Sequence, residues 1–385
     1  MIPRPVPSRL IEQSFEVHPV TALLGPRQCG KTTLARAIAE KMPTTVFDLE
    51  NPVDLRRLSA PMQALGALSG RVIIDEVQRK PELFELLRVL VDRPGPGAQF
   101  LLLGSASPGL IKGISESLAG RIGFVDLAGF TLWEIGPSHR QQLWIRGGLP
   151  RSCLAETDSG SRQWRDNFIR TFLERDIPQL GISIAAETLR RFWTMVAHYH
   201  GQVWNAAEFA RSLGTSENTA RRYIDILAGA YMVRVLPPWF ENLKKRQVKA
   251  PKIYIRDSGI CHSLLQIPSH EVLAGHPKIG ASWEGFALEH VIAAFRTRDI
   301  YYWATHAGAE LDLMIQVGGK RYGFEFKYAD APGSSRSIRI ALQDLGLAHL
   351  YVIYPGDQSY PLDEKITVMP LEQLAPLAAK LNRAD

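Results

Sequence analysis

A chain of 385 residues is long enough for about two or three domains. Its 45% hydrophobic and 22% charged content is an ordinary globular balance, which argues against a disordered or fibrous protein. The net charge of +6 is compatible with a nucleic-acid partner without requiring one.

No run of about 18 apolar residues appears, so no helical membrane span is expected. The first residues, Met1 to Pro7, lack the apolar segment of a secretory signal. Cys29, Cys153 and Cys261 show neither metal nor disulfide spacing. A reduced, cytoplasmic protein is the expectation.

In chain order, the first strong pattern is a short apolar strand, Val20–Leu24, then a loop, then an Ala-rich amphipathic helix from Thr33 to Lys41. The loop Gly25–Thr32 fits the phosphate-binding template G-x-x-x-x-G-K-S/T in the strand–loop–helix setting that it requires. Gly25 and Gly30 allow the backbone to turn its N–H groups toward phosphate, with Pro26, Arg27, Gln28 and Cys29 forming the cradle. The helix adds the positive end of its dipole. Lys31 is positioned to reach the β- and γ-phosphates of ATP. The Thr32 hydroxyl would hold Mg²⁺, and Thr33 continues the phosphate contact.

A second apolar strand starts at Arg71 and ends in Asp75 and Glu76. A buried parallel strand that meets a ligand at its C-terminal end has this pattern. Asp75 would bind Mg²⁺ through water and Glu76 would orient the attacking water; a solvated acidic strand end is the alternative. The strand Gln99–Gly104 follows. Either Ser105 or Ser107 would touch the γ-phosphate or the water, unless the segment is a simple turn.

The phrase Leu24–Leu34, the Ile74–Gln78 box, the Gly104–Ser105 strand end and Ser117–Arg121 together resemble the AAA+ superfamily. More narrowly, they resemble the bacterial and archaeal ATPases that carry a C-terminal domain of unknown function (DUF4143-type), a likeness that covers nearly the whole chain. Cys29 departs from the small apolar residue common at its position. The resemblance implies a homo-oligomer, a ring such as a hexamer or a partial ring. It also implies an arginine acting at a neighbour's nucleotide. Arg121 is the first candidate for that finger, against a local ion pair with a carboxylate. Arg170 and Arg175 are weaker candidates, explained adequately by the solvated face of a helix.

Residues 156–200 read as helices with an aromatic core. A short helix, Asn205–Leu213, then Gly214, an N-capping Ser216 and a second helix, Glu217–Leu227, make a helix-turn-helix pattern. Tyr231–Pro238 follows as a wing strand. Arg221 and Arg222 on the second helix, with Lys244, Lys245, Arg246, Lys249 and Lys252 in the next loop, suit contact with DNA. A winged helix used as a lid or for subunit contact explains them equally.

From about residue 270 the pattern changes to a helix, Ser282–Phe295, and then strands. If Gly318 and Gly319 form a two-residue hairpin loop, Val317 opposes Lys320 and Asp312 falls opposite Glu325. Lys327 then shares the face of Glu325, while Tyr322, Phe324 and Phe326 take the other face. Opposed carboxylates repel, and Mg²⁺ or Mn²⁺ between them would remove that penalty. Lys327 would act on water or phosphate. This set resembles the PD-(D/E)xK nuclease motif, and the helical Glu289, on a mostly apolar flank, resembles the upstream acid of some members. Glu284 has a helix-dipole explanation. A nuclease-like fold without activity is the alternative.

The expected fold is α/β in three parts. These are a P-loop AAA+ parallel-sheet domain over 1–155, a helical segment and winged helix over 156–268, and a restriction-endonuclease-like domain over 269–385. The expected function is ATP hydrolysis in an AAA+ machine acting on DNA, branched DNA included. The alternative is a nucleotide-dependent switch, or a defence or toxin–antitoxin component, that binds a protein.

Overall fold

A computed structural model describes residues 2–95, 97–105, 113–114, 116–240 and 246–382. The chain divides into two compact units. Residues 1–130 with 229–231 make the first, and 131–228 with 232–385 make the second. Sequence reading places breaks after 155 and 268. The long segment of the first unit ends at Phe130, and the helical middle, apart from 229–231, belongs with the rear sheet.

The first unit is built on five strands, β1 (Val20–Gly25), β2 (Thr44–Asp48), β3 (Arg71–Asp75), β4 (Gln99–Ser105) and β5 (Ile122–Asp126). Their order is β2-β3-β4-β1-β5, with every neighbouring pair parallel. All residues of β1 and β3 are buried, as expected of parallel strands covered on both faces. One core gathers Leu24, Phe47, Ile74, Leu87, Phe100 and Leu102. Because β4 lies between β1 and β3, the chain reverses its winding there. The C-terminal ends of β1 and β3 flank that crevice, the usual ligand position in an open α/β sheet. At the opposite end the buried Arg71 pairs with Glu12 at 2.6 and 3.0 Å and lies 4.2 Å over the Phe15 ring. This contact ties the first helix, Pro5–Val17, to the sheet.

The second unit opens with helices that include Arg140–Arg146 and Asp158–Thr171. There follow a helix (Ala186–His198), β6 (Gln202–Val203), two helices (Ala206–Leu213 and Glu217–Gly229), β7 (Val233–Leu236) and β8 (Lys252–Ile255). The strands make a small antiparallel sheet, β6-β8-β7. Local chemistry sets the helix boundaries. Asn205 accepts from the Glu208 N–H, Gly214 takes φ +65° after the helix, and Ser216 Oγ accepts from the Thr219 N–H at 3.1 Å.

The rear sheet contains β9 (Ile300–Ala304), β10 (Glu310–Val317), β11 (Lys320–Phe326), β12 (His349–Tyr354), β13 (Tyr360–Asp363) and β14 (Ile366–Pro370). Its order is β13-β14-β12-β11-β10-β9, with β11, β12 and β14 parallel and the other pairs antiparallel. Gly318 and Gly319 adopt φ +54° and +67°, the left-handed pair of a type I′ turn, and Val317 pairs with Lys320. No helix among the described residues is long and apolar enough to cross a membrane.

Candidate functional site

The loop after β1 is shaped by backbone constraint. A Cβ at Gly25 would lie 2.1 Å from the Leu127 carbonyl oxygen, so only glycine fits there. Gln28 and Gly30 both take positive φ, +60° and +101°, and wrap the chain into the helix Lys31–Ala39. Gly30, the residue before that helix, has no side chain to cap it, which leaves the first N–H groups for an anion. Pro26 and Cys29 are buried, and Arg27 lies 3.6 Å from Glu50. The Cys29 side chain is fully buried, so its contribution to a cradle is its backbone.

Lys31 is folded back on the loop. Its ammonium donates to the carbonyls of Gly25 at 3.0 Å and Pro26 at 2.9 Å. Thr32 Oγ1 donates to Asp75 Oδ2 at 2.6 Å, joining the loop to the end of β3. Burial raises the Asp75 pKa above the usual carboxylate range, opposed by the Thr32 hydrogen bond and reinforced by the charges of Glu76 and Asp48. A nearby cation would relieve that cost. Glu76, at φ +53°, turns off the strand end and accepts a hydrogen bond from Gln78. Thr33 is exposed on the first helical turn. Ser105 ends β4 in register with Gly25, while Ser107 lies outside the described residues.

Sequence reading missed Arg4. Its guanidinium donates to the Cys29 carbonyl at 3.1 Å, to Ala128 at 3.1 Å and to Gly129 at 2.9 Å, and lies over the Phe130 ring. It therefore braces the phosphate loop from behind. No local signal marks it, because its partners lie 25 to 125 residues away.

Arg121 precedes β5, and its carbonyl accepts from the Val20 N–H at the start of β1. It thus stands at the edge of the sheet opposite the phosphate loop, about 16 Å away by strand rise. Its side chain makes a two-point pair with Asp92, at 2.7 and 2.8 Å. Arg170 pairs with Glu174 one turn on, and Arg175 is exposed. Arg221 and Arg222 lie on the exposed face of the helix Glu217–Gly229, with Arg221 3.7 Å from Glu217. Arg246 is exposed, and Lys244 and Lys245 lie outside the described residues.

The rear sheet brings Asp312 and Glu325 together as the hairpin register requires. Pairing is observed to Leu313 and Phe324, and one step further Asp312 Oδ2 accepts from the Phe326 N–H at 3.0 Å. Lys327 Nζ meets Glu325 Oε1 at 2.7 Å. Burial, then the Asp312 charge, raises the Glu325 pKa.

Two expectations need correction here. Glu289 does not join this group; it pairs with Arg234 and, at 3.4 Å, with Arg256. Opposing burial, those two arginines hold its pKa down at about 2. The helix Ile279–Phe295 instead offers Glu284, which accepts from the Tyr254 hydroxyl at 2.6 Å. Lys252, expected in a basic loop, lies on β8 and is buried. Its ammonium is 3.2 Å from Glu284, 3.3 Å from Asp312, and closer still to Glu310.

The two sets of residues differ in how they fit a metal ion. Thr32 and Asp75 offer paired oxygens beside an anion cradle, which suits Mg²⁺ delivered with a nucleotide. In the rear sheet an ammonium already stands among the carboxylates. Among the described residues no group of three or more His, Cys, Asp or Glu is arranged to hold a metal ion. The residues there do not fit a bound divalent cation.

Three family models match along the chain: an AAA domain over 17–136, a domain of unknown function (DUF8612) over 138–271, and another (DUF4143) over 279–374. Two curated relatives are each 52% identical over 364 residues, covering 94% of this chain and 82% of their own length. They are the uncharacterized proteins Rv2008c of Mycobacterium tuberculosis and Mb2031c of Mycobacterium bovis. Among solved structures, the Walker-type ATPase PABY2304 of Pyrococcus abyssi aligns with a TM-score of 0.47 at 17% identity. That alignment covers 69% of this chain and 96% of that one.

Proposed function

We propose, for a chain that belongs to the family of AAA-domain proteins with a C-terminal DUF4143 domain, that the first unit hydrolyses ATP and that the work is done on DNA. The first unit has the P-loop ATPase fold of an AAA domain. The observation that carries the hydrolytic reading is the hydrogen bond between Thr32 and Asp75 beside the buried Lys31. On nucleotide binding, Lys31 exchanges two loop carbonyls for β- and γ-phosphate oxygens. Thr32 and Asp75 would hold the Mg²⁺ that arrives with ATP, and that ion would supply charge neutralisation on the phosphates. Glu76 orients the attacking water once it leaves Gln78. Ser105, level with Gly25, is placed on the strand between them.

Arg121 lies too far from its own phosphate loop to serve it. Its role as a finger therefore requires a neighbouring copy, which fits a ring or partial ring. There it would trade Asp92 for a developing phosphate charge.

The DNA reading rests on the second unit. Its order of helix, strand, two helices and two strands supports the winged-helix reading, as do Arg221 and Arg222, which stand exposed on the second helix of the turn motif. ATPase turnover measured with single-stranded, duplex and four-way-junction DNA tests the reading. Stimulation by one of these, with an affinity that falls as salt rises, is expected. No stimulation and no salt-dependent affinity would replace it with a nucleotide-dependent switch that binds a protein.

A further inference from the structure

We infer that Lys252 is the resident cation of the rear-sheet carboxylate cluster, occupying the place that a divalent metal would take and keeping the cluster metal-free. The inference is independent of the ATPase and DNA readings. It rests on the geometry around one nitrogen.

An ammonium has three N–H donors and no acceptor. Around Lys252 Nζ stand three carboxylates, from Glu284 on the helix Ile279–Phe295 and from Glu310 and Asp312 on β10. Each donor has a partner, so none is left over for a phosphate. The separations to Glu284 and Asp312, 3.2 and 3.3 Å, suit a charge-assisted hydrogen bond. Mg²⁺ or Mn²⁺ would need these oxygens at about 2.0–2.2 Å, so the cluster would have to contract by about 1 Å. Lys252 also lies 5.7 Å from the Tyr302 ring centre, a second attraction for its charge.

The lysine is only 3% exposed, so its charge is met by the carboxylates and not by solvent. Burial opposes its charge, and Glu284, Asp312 and Glu310 outweigh it, so the pKa lies well above the usual lysine value. The remaining carboxylate, Glu325, is served by Lys327 through one oxygen, while its other oxygen is buried and has no hydrogen-bond partner. The group thus contains four carboxylates and two ammoniums. Two negative charges remain when all four are ionised, so charge alone would admit a divalent ion; what leaves no place for one is the Lys252 ammonium, which already stands among the oxygens of Glu284, Glu310 and Asp312. Metal and Lys252 therefore exclude each other. Lys252 comes from β8 of the small sheet, so it also fastens that sheet to the rear sheet within the second unit.

The test is Mn²⁺ titration by calorimetry on the full chain without nucleotide, with thermal melts alongside. The chains are the wild type, Asp312→Asn, Lys252→Met and Lys252→Met with Asp312→Asn. The wild type is expected to show no Mn²⁺ binding that Asp312→Asn removes. Lys252→Met is expected to gain a site at least about tenfold tighter than any such wild-type binding, with a higher melting temperature in Mn²⁺ by mass action. The double variant is expected to lose both gains. Should Lys252→Met unfold without metal, refolding by Mn²⁺ supports the inference. An Asp312-dependent Mn²⁺ site in the wild type overturns it. So does a Lys252→Met chain that neither binds Mn²⁺ nor is stabilised by it.

Discussion

In the proposed mechanism Glu76 orients the attacking water, and its side chain is held by Gln78. The left-handed backbone at Glu76 aims the side chain off the strand, and Gln78 anchors it. Glu76→Gln keeps the shape and removes the charge. It is expected to bind ATP with near-wild-type affinity and to slow hydrolysis by about 10²–10⁴-fold, read by single-turnover kinetics. Lys31→Ala should lose ATP binding itself, read by calorimetry, because no other ammonium is placed in the loop. Glu289 makes a different kind of prediction. Its pKa falls from the usual 4.5 to about 2 through Arg234 and Arg256, so its contribution to stability is present above about pH 4.5. That contribution is lost as pH falls from there toward 2. Glu289→Gln should therefore destabilise the fold by about 1.5–3 kcal/mol at pH 7 and much less near pH 2, read by denaturant unfolding across pH.

At the scale of the element, a strand decides what Arg121 can do. Because β5 runs parallel to β1, a residue before β5 sits at the end of the sheet remote from the loop that follows β1. Arg121→Ala should keep ATP binding and lose turnover in an assembly. Mixing it with Glu76→Gln protein should restore part of the activity, since one variant supplies the arginine and the other the carboxylate. Absence of rescue would leave Arg121 as the partner of Asp92 alone. The helix Glu217–Gly229 offers a parallel case. Its buried face carries Ala220, Ile224 and Leu227, and its outer face carries Arg221 and Arg222. Reversing both arginines to Glu should weaken DNA binding for all sequences alike and flatten its salt dependence. The wild-type salt slope in that variant would return these arginines to solvated-surface duty.

At the scale of the whole molecule, the two units should answer to metal differently. Mg²⁺ with ATP, at about a hundredfold over Kd, should stabilise the first unit by about 2.7 kcal/mol. Chelation should remove that gain and leave the transition of the second unit where it was, since Lys252 is its cation. Differential scanning calorimetry with and without chelator reads both. A downward shift of the second transition on chelation would mean that a metal is part of that unit.

The phosphate loop, the Asp75 strand end and the Gly318–Gly319 hairpin were legible from the chain alone because each is local. A turn sets the register of two strands, and a glycine pair sets the turn. The helix-turn-helix boundaries were legible for the same reason, as Asn205, Gly214 and Ser216 act within three residues of themselves. What the sequence could not decide is which charges meet across long separations. Glu284 and Glu289 are five residues apart on one helix, a rotation of about 140°, so they face different neighbours, and apolar flanks do not reveal which. Lys252 lies 60 residues from Asp312 and 32 from Glu284, and Arg4 lies 25 from Cys29. Those pairings exist only because the tertiary fold brings the groups together and excludes water from them. Burial then makes each unpaired charge costly, so the fold itself selects which lysine, and not which metal, completes the rear cluster.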